Sequence, residues 1–228
     1  MSPWVPVLLS VKVAFVATLF TFAAGLALAR LFTRRRVRLR GLWEGIILLP
    51  MVLPPTITGY LLLLCFGKRG PLGAILEALG APVIFTWTAA VIASTVVSLP
   101  LMYQSAKAAL RNVDQQYANA ARTLGMSEGR IFRRITLPLA APGIISGTVL
   151  SFARALGEFG ATLMVAGNIP GRTQTVPLAL YSAVEGGRDR EALVLLGVTV
   201  ALAFVLVAIV GWCERSAFTA GGFGRNPR

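Results

Sequence analysis

The sequence predicts an all-α, polytopic membrane protein with about five transmembrane helices. Of its 228 residues, 56% are hydrophobic and only 14% are charged, whereas soluble domains carry about 25% charged residues. Several apolar stretches approach the roughly 20 residues that a helix needs to cross a bilayer. The whole chain, residues 1–228, is expected to form a single transmembrane domain. We place the spans at about 8–29, 44–66, 83–105, 141–166 and 192–213.

The basic residues are distributed unevenly between the two sides of this arrangement. The net charge is +13, and 15 of the 22 lysines and arginines lie between spans one and two, between spans three and four, or after span five. By the positive-inside rule these segments are cytoplasmic, so the N-terminus is outside, and the C-terminus and a loop at 106–138 are inside. The charge also attracts anionic membrane lipid. Since no stacking or groove-reading motif accompanies it, nucleic acid is not an expected partner.

The second span contains three prolines, in the stretch LLPMVLPPTITGY at 48–60. Each proline removes a backbone donor and disturbs the preceding turn. Within a membrane such breaks persist where neighbouring protein or a water-lined cavity satisfies the freed carbonyls. The segment is either a kinked packing helix or a broken helix that lines a solute path. On the second interpretation, Pro54 and Pro55 are candidate path residues.

Two ionisable residues, Arg154 and Glu158, lie within the fourth span. Their spacing of four places them on one helix face, where they can pair. Ionisable groups at membrane depth are costly and are therefore functional candidates. The pair either braces the bundle, or Arg154 faces the path and offsets the charge of an anionic solute. Earlier in this span, small residues at 143, 147 and 151 predict close packing, either within the bundle or against a second copy.

Several kinds of chemistry are missing from the sequence. It has no histidine and no G-x-x-x-x-G-K-[ST] loop to cradle nucleotide phosphates. No cysteine and histidine cluster indicates a metal or haem. An intramembrane hydrolase needs an activated nucleophile and a base, and neither is evident. We therefore expect no enzymatic activity, no cofactor and no metal in this chain.

The loop at 106–138 is the segment most informative about function. Gln115 to Leu124 are predicted to form a short helix, in which Ala120 and Ala121 present a face with almost no side chain. A partner can approach such a face closely. Gly125 then ends the helix, since glycine readily adopts the left-handed conformation found after helix C-termini.

A second short helix is predicted over 128–135, with Ser127 as its N-cap and Pro138 at its end. It carries three arginines, and the two helices joined at a glycine form a rigid knob. The loop is therefore interpreted as a docking surface for another protein. The alternative is an amphipathic surface loop that only sets the topology, but that role does not need the alanine pair or the glycine.

The spacing within this loop resembles the coupling loop of type I binding-protein-dependent ABC importer permeases. The pattern of that family is Glu-Ala-Ala, three residues, Gly, nine residues, and Ile-x-Leu-Pro. Asn119 stands where the family usually has glutamate, so it can hydrogen-bond but cannot form a salt bridge to the ATPase. The positions that match the pattern are Ala120, Ala121, Gly125, Ile135, Leu137 and Pro138.

Three further segments resemble permeases of molybdate importers, and related patterns occur in sulfate and thiosulfate permeases. On this resemblance, Phe159 within Gly-Glu-Phe-Gly favours molybdate over sulfate. The chain would thus be a permease domain that moves molybdate, with tungstate, sulfate or thiosulfate as alternatives. The segments are LPMVLPPTITGYLLL at 49–63, FARALGEFGAT at 152–162 and NIPGRTQTVPLALY at 168–181.

The resemblance implies the type I importer permease fold, in the cell inner membrane, as a homodimer with a path along the dimer axis. Two copies of a cytoplasmic ABC ATPase would dock on the coupling loops, and a periplasmic or extracellular protein would deliver the oxyanion. An alternative of another class is a stand-alone channel or ion-coupled carrier. It would need proton-relay groups at depth, for which Glu158 is the one candidate. A non-transporting membrane scaffold is a third possibility.

Overall fold

The computed structural model describes residues 4–34 and 38–220, and helices make up most of this part of the chain. A π-helical segment lies between α7 and α8 and continues both of them. The elements are α1 (Trp4–Arg34), α2 (Arg40–Val52), α3 (Pro55–Phe66), α4 (Pro71–Ala78), α5 (Trp87–Asn112), α6 (Gln115–Thr123), α7 (Glu128–Ile131), the π-helical segment (Phe132–Thr136), α8 (Leu137–Leu156), α9 (Gly160–Ala166), α10 (Val176–Glu185) and α11 (Asp189–Ala220).

The described residues contain four helices that are long and apolar enough to cross a membrane, and α2 with α3 can supply a fifth. The α2–α3 pair passes the same test but bends by 116° at its break. The predicted fold class, an all-helical membrane protein with about five spans, is confirmed. The four unbroken candidates are Trp4–Thr33, Trp87–Asn112, Glu128–Leu156 and Asp189–Ile209.

The boundaries predicted for the fourth span, 141–166, are wrong at both ends. The helix begins at Glu128 and passes without interruption through Pro138. Pro138 therefore does not end the preceding helix, because the π-helical turn before it widens the backbone where a proline ring would press on the carbonyl of residue 134. At the other end α8 stops at Leu156, and a separate helix, α9, begins at Gly160.

Helix α5 is the centre of the bundle and packs against both α1 and α8. Small residues bring the backbones close: a Cβ added to Gly147 of α8 would lie 2.4 Å from the Cβ of Ser105, and one on Gly143 would lie 2.8 Å from the Cβ of Ala109. The small-residue stripe of α8 thus packs within the bundle, against α5. Between α1 and α5, the hydroxyls of Thr21 and Ser98 share a hydrogen bond of 3.1 Å.

The remaining helices surround this centre. The broken pair attaches mainly through α3, which packs on α9, while α10 and α11 pack together and α11 also packs on α8. Much of α11 is apolar and exposed, including Phe204 and Val207 at 71% and 69%. An apolar surface of this extent fits a helix that faces lipid.

Candidate translocation and coupling site

The second predicted span is fully broken at its prolines rather than kinked. Helix α2 ends at Val52, Leu53 and Pro54 are extended, and α3 starts at Pro55. A residue that precedes proline avoids the helical conformation, and a proline suits the first position of a helix because its missing N–H is not needed there. Both Pro54 and Pro55 are exposed. The two adjacent prolines therefore account for the break at this position.

The broken span lies against the segment that follows Glu158, the second region with candidate path residues. A Cβ on Gly160 would lie 3.0 Å from the Cβ of Pro55, and one on Gly59 would lie 2.7 Å from the Cα of Ala161. Glycine lets the two backbones approach this closely. The structure thus brings the proline pair next to the turn after α8, although more than 100 residues of chain separate them.

The predicted pairing of Arg154 with Glu158 is confirmed, with 2.8 Å between Nη1 and Oε2. Glu158, however, lies in the turn beyond α8, where its other oxygen accepts a hydrogen bond of 2.8 Å from the Ala161 backbone N–H. Its side chain is 1% exposed and that of Arg154 is 32% exposed. The carboxylate therefore holds the start of α9 and one face of the guanidinium, while part of the arginine stays open. The role of Arg154 in a solute path stays a prediction.

Helix α6 lies in the basic loop, the segment 106–138, and begins and ends as its sequence predicts. The Asp114 carboxylate accepts a hydrogen bond of 2.9 Å from the Gln116 N–H and caps the helix. At the other end Gly125 has a φ of +75°. Its N–H bonds the Arg122 carbonyl, and the Met126 N–H bonds the Ala121 carbonyl. This pair of bonds is a Schellman motif, which fixes the exit of the chain from the helix.

The two alanines of the loop do not share an outward face, contrary to expectation. Ala121 is 4% exposed and packs with Ile131 and the half-buried Ile135 inside the loop. Ala120 is exposed, and so is Leu124, at 81%. A nine-residue helix that lies on α7 must turn one side inward, and neighbouring alanines fall on different sides of it. Ala120 and Leu124 therefore lie on the outward surface of the loop, whereas Ala121 does not.

A polar network makes the loop one rigid unit. The Arg122 guanidinium donates to the Asn119 amide oxygen and to Glu128 Oε1, each at 2.6 Å, and so connects α6 with α7. The hydrogen bond from Arg122 to Glu128 raises the pKa of the guanidinium above its usual value. Farther along, Leu137 is half-buried against a hydrophobic cluster that includes Phe32 and Leu110, while Pro138 is exposed.

Sequence reasoning missed a charged cluster between α2 and α5. Glu44 Oε1 accepts from Lys107 Nζ at 2.6 Å, from Arg40 Nε at 2.9 Å and from the Tyr103 hydroxyl at 2.9 Å. These contacts join the broken span to α5, whose end leads directly into the basic loop. The spacing of Arg40 and Glu44 is a recognisable helical pair, but nothing in the sequence places α2 beside α5.

The part of the chain that the structure describes offers no metal centre built from several side chains. Within 4–34 and 38–220, no group of three or more His, Cys, Asp or Glu side chains could hold a metal ion.

The protein is a membrane bundle with one broken span and with a rigid basic loop that joins two further spans. This arrangement is typical of a class of proteins, the integral membrane components of transport systems. The sequence places the chain within that class more narrowly. Residues 21–216 match the family described as binding-protein-dependent transport system inner membrane component, and the chain belongs to that family.

Relatives extend over nearly the whole chain. The chain is 44% identical over 215 residues to the molybdenum transport system permease protein ModB of Escherichia coli K12, covering 93% of each protein. It is 43% identical over 202 residues to the protein of the same name from Mycobacterium tuberculosis, covering 89% of this chain and 76% of the relative.

Solved structures show the same fold at low identity. The chain resembles a component of the MetNI methionine ABC transporter in an inward-facing conformation, with a TM-score of 0.73, 19% identity, and coverage of 95% of this chain and 99% of that one. It also resembles a chain of a bacterial ABC transporter that imports alginate, with a TM-score of 0.71, 15% identity, and coverage of 97% and 81%. At these identities the likeness concerns the fold.

Proposed function

We propose that this chain is the permease subunit of an importer that moves molybdate across the cytoplasmic membrane, with energy from a separate ATPase. The observation that carries the proposal is the similarity to molybdenum transport permeases over 93% of the chain. The Pro54–Pro55 break and the segment at 157–161 resemble the corresponding segments of molybdate permeases and lie against each other here.

The basic loop is the surface on which the ATPase docks. Its exposed residues Ala120 and Leu124 form the contact, and Gly125 lets the chain turn sharply beside them. The Arg122 network keeps the loop rigid, so a displacement passes directly into α5 and into the helix that begins at Glu128. ATP hydrolysis takes place on the partner, which explains why this chain has no nucleotide-binding motif of its own.

The path lies between two copies of the chain, with one ATPase on each copy. Pro54, Pro55 and Tyr60 are exposed in the single chain, and a second copy facing them would enclose the break. The open part of Arg154 contributes positive charge to this path. A binding protein delivers the oxyanion on the side of the N-terminus, and the basic loop and C-terminus face the cytoplasm, the orientation that the distribution of arginines predicts.

Other substrates and mechanisms are less well supported. Tungstate, sulfate and thiosulfate share the charge and shape class of molybdate and are therefore the alternative substrates. Phe159, the residue whose resemblance favours molybdate over sulfate, packs on the ring of Tyr181, with centroids 5.3 Å apart. A proton-coupled carrier would use Glu158 as its relay. That carboxylate is already engaged by the Arg154 guanidinium and by the Ala161 backbone N–H at the start of α9.

Uptake by cells that lack the chain tests the proposal directly. We expect deletion to abolish high-affinity molybdate uptake, and the restored gene to return it. Excess tungstate should compete, and excess sulfate should not. Impairment of sulfate uptake alone would contradict the substrate assignment. Uptake that continues without any ATPase partner would support a channel or carrier instead.

A further inference from the structure

An arginine-lined cavity lies where α1 ends and the Glu128–Leu156 helix begins. Its volume is about 520 Å³. Arginines make up most of its lining, and they come from two separate parts of the chain. The lining residues are Arg30, Ser127, Gly129, Arg130, Arg133 and Arg134.

One carboxylate, that of Glu128, belongs to a residue between two lining residues of this cavity, and its Oε1 is held by Arg122 at 2.6 Å. Over the described part of the chain, none of the cavity's four arginines forms an ion pair with a carboxylate. Arg30 is held over the ring of Phe132, with its guanidinium carbon 3.8 Å from the ring centroid. That contact positions the charge without neutralising it. The four arginines around this one cavity therefore constitute a site for an anion.

The level of the cavity relative to the membrane indicates which kind of anion it binds. Arg30 lies three residues before the apolar span of α1 ends at Thr33, and Arg134 lies three residues before the apolar helix α8 begins. Exposed apolar side chains lie next to both ends, with Leu31 at 41% and Leu139 at 52%. Charge that starts where an exposed apolar surface stops is at the level of the lipid headgroups.

We propose that this cavity binds the phosphate of an anionic phospholipid in the leaflet on the side of the basic loop. The planar guanidinium donates two parallel hydrogen bonds to phosphate oxygens, so arginines suit this ligand better than lysines would. Because Arg30 comes from α1 and the others from the start of the Glu128–Leu156 helix, one bound headgroup would also tie the base of the basic loop to α1. The exposed docking residues Ala120 and Leu124 lie on or just after α6, a different element.

The test compares lipid binding to the purified full-length chain and to two double variants. Lipid is removed in detergent, phosphatidylglycerol or phosphatidylcholine is titrated back, and bound lipid is counted by native mass spectrometry. The test variant is Arg133→Gln with Arg134→Gln. The control is Arg172→Gln with Arg190→Gln, which removes the same charge on the opposite side. Thermal stability in phosphatidylcholine alone checks that both variants fold.

We expect the unmodified chain to bind phosphatidylglycerol and to prefer it to phosphatidylcholine. The test variant should lose about 30-fold in phosphatidylglycerol affinity, since each basic residue near an anionic surface contributes about fivefold. The control should change by less than about twofold, because its charges lie far beyond the screening length.

Three results would overturn the proposal. The first is equal loss in the test and control variants. The second is saturation of the site by inorganic phosphate or molybdate at a concentration that displaces the lipid, which would identify a soluble oxyanion as the ligand. The third is release of the lipid when the ATPase subunit binds, which would make the cavity part of a protein interface.

Discussion

Gly125 offers a sharp test of the docking surface because the cost of its φ angle can be measured apart from the effect of a new side chain on docking. Its φ of +75° is strained for a residue with a Cβ, at a cost of about 1–2 kcal/mol for alanine. No atom lies within 4 Å of the position that a Cβ would take. Asparagine tolerates this region of φ better than alanine, so Gly125→Asn adds a side chain with little strain. Its side chain would project into open space beside Leu124, where the partner is proposed to bind.

The expected result is a folded protein that docks poorly. An extra side chain in a packed contact costs about 2 kcal/mol, which corresponds to a loss of about 30-fold in affinity for the ATPase. Co-purification of the ATPase with the tagged permease measures docking, and molybdate uptake measures its consequence. Thermal unfolding in detergent should show a change of less than about 1 kcal/mol.

Gly80 supplies a matched control. It lies between α4 and α5, has a φ of +71°, and would likewise place an added Cβ in open space, with no atom within 4 Å. Gly80→Asn should therefore cost the same small amount of stability and leave ATPase binding intact. Normal docking and uptake in Gly125→Asn would refute the reasoning, as would an equal loss of docking in the two variants.

Three further predictions concern packing and charge. Gly147→Ala should destabilise the bundle by about 1–3 kcal/mol, because its Cβ would press on α5, whereas Gly197→Ala, which meets nothing, should not; thermal unfolding in detergent compares them. Glu158→Gln keeps an oxygen to cap α9 but leaves its arginine partner unpaired, so we expect a loss of about 1–3 kcal/mol in the same measurement; unchanged stability would mean that the ion pair contributes little. Glu44→Gln and Lys107→Gln should show a coupling energy of about 1–3 kcal/mol in a double-mutant cycle, and strictly additive effects would argue against a clamp between α2 and α5.

The features that sequence predicts well are those with a local cause. Two adjacent prolines fix their own backbone angles, so the break at Pro54 is predictable wherever the segment lies. Gly125 ends α6 because that conformation is intrinsically easy for glycine. The pairing of Arg154 with Glu158 needs only a spacing of four.

The features that sequence misses depend on contacts between distant segments. Ala121 is buried because α7 lies against it, and the sequence does not specify which side of a short helix turns inward. The sequence places the end of the fourth span too late, since the apolar stretch continues through the turn at Glu158 into α9. Glu44 acquires its partner only when α2 packs on α5, with Lys107 more than 60 residues away.

The unbroken helix from Glu128 to Leu156 has a consequence for chain length. Its 29 residues form a rod of about 43 Å that joins the base of the basic loop to the turn at Glu158. Inserting or deleting one residue near Ile131 would rotate everything beyond it by about 100°. Gly147 would then turn away from α5, where Ser105 now lies against it. The number of residues between loop and bundle is thus as constrained as their identity, and we expect homologous permeases that keep the packing of Gly147 on α5 to keep this spacing.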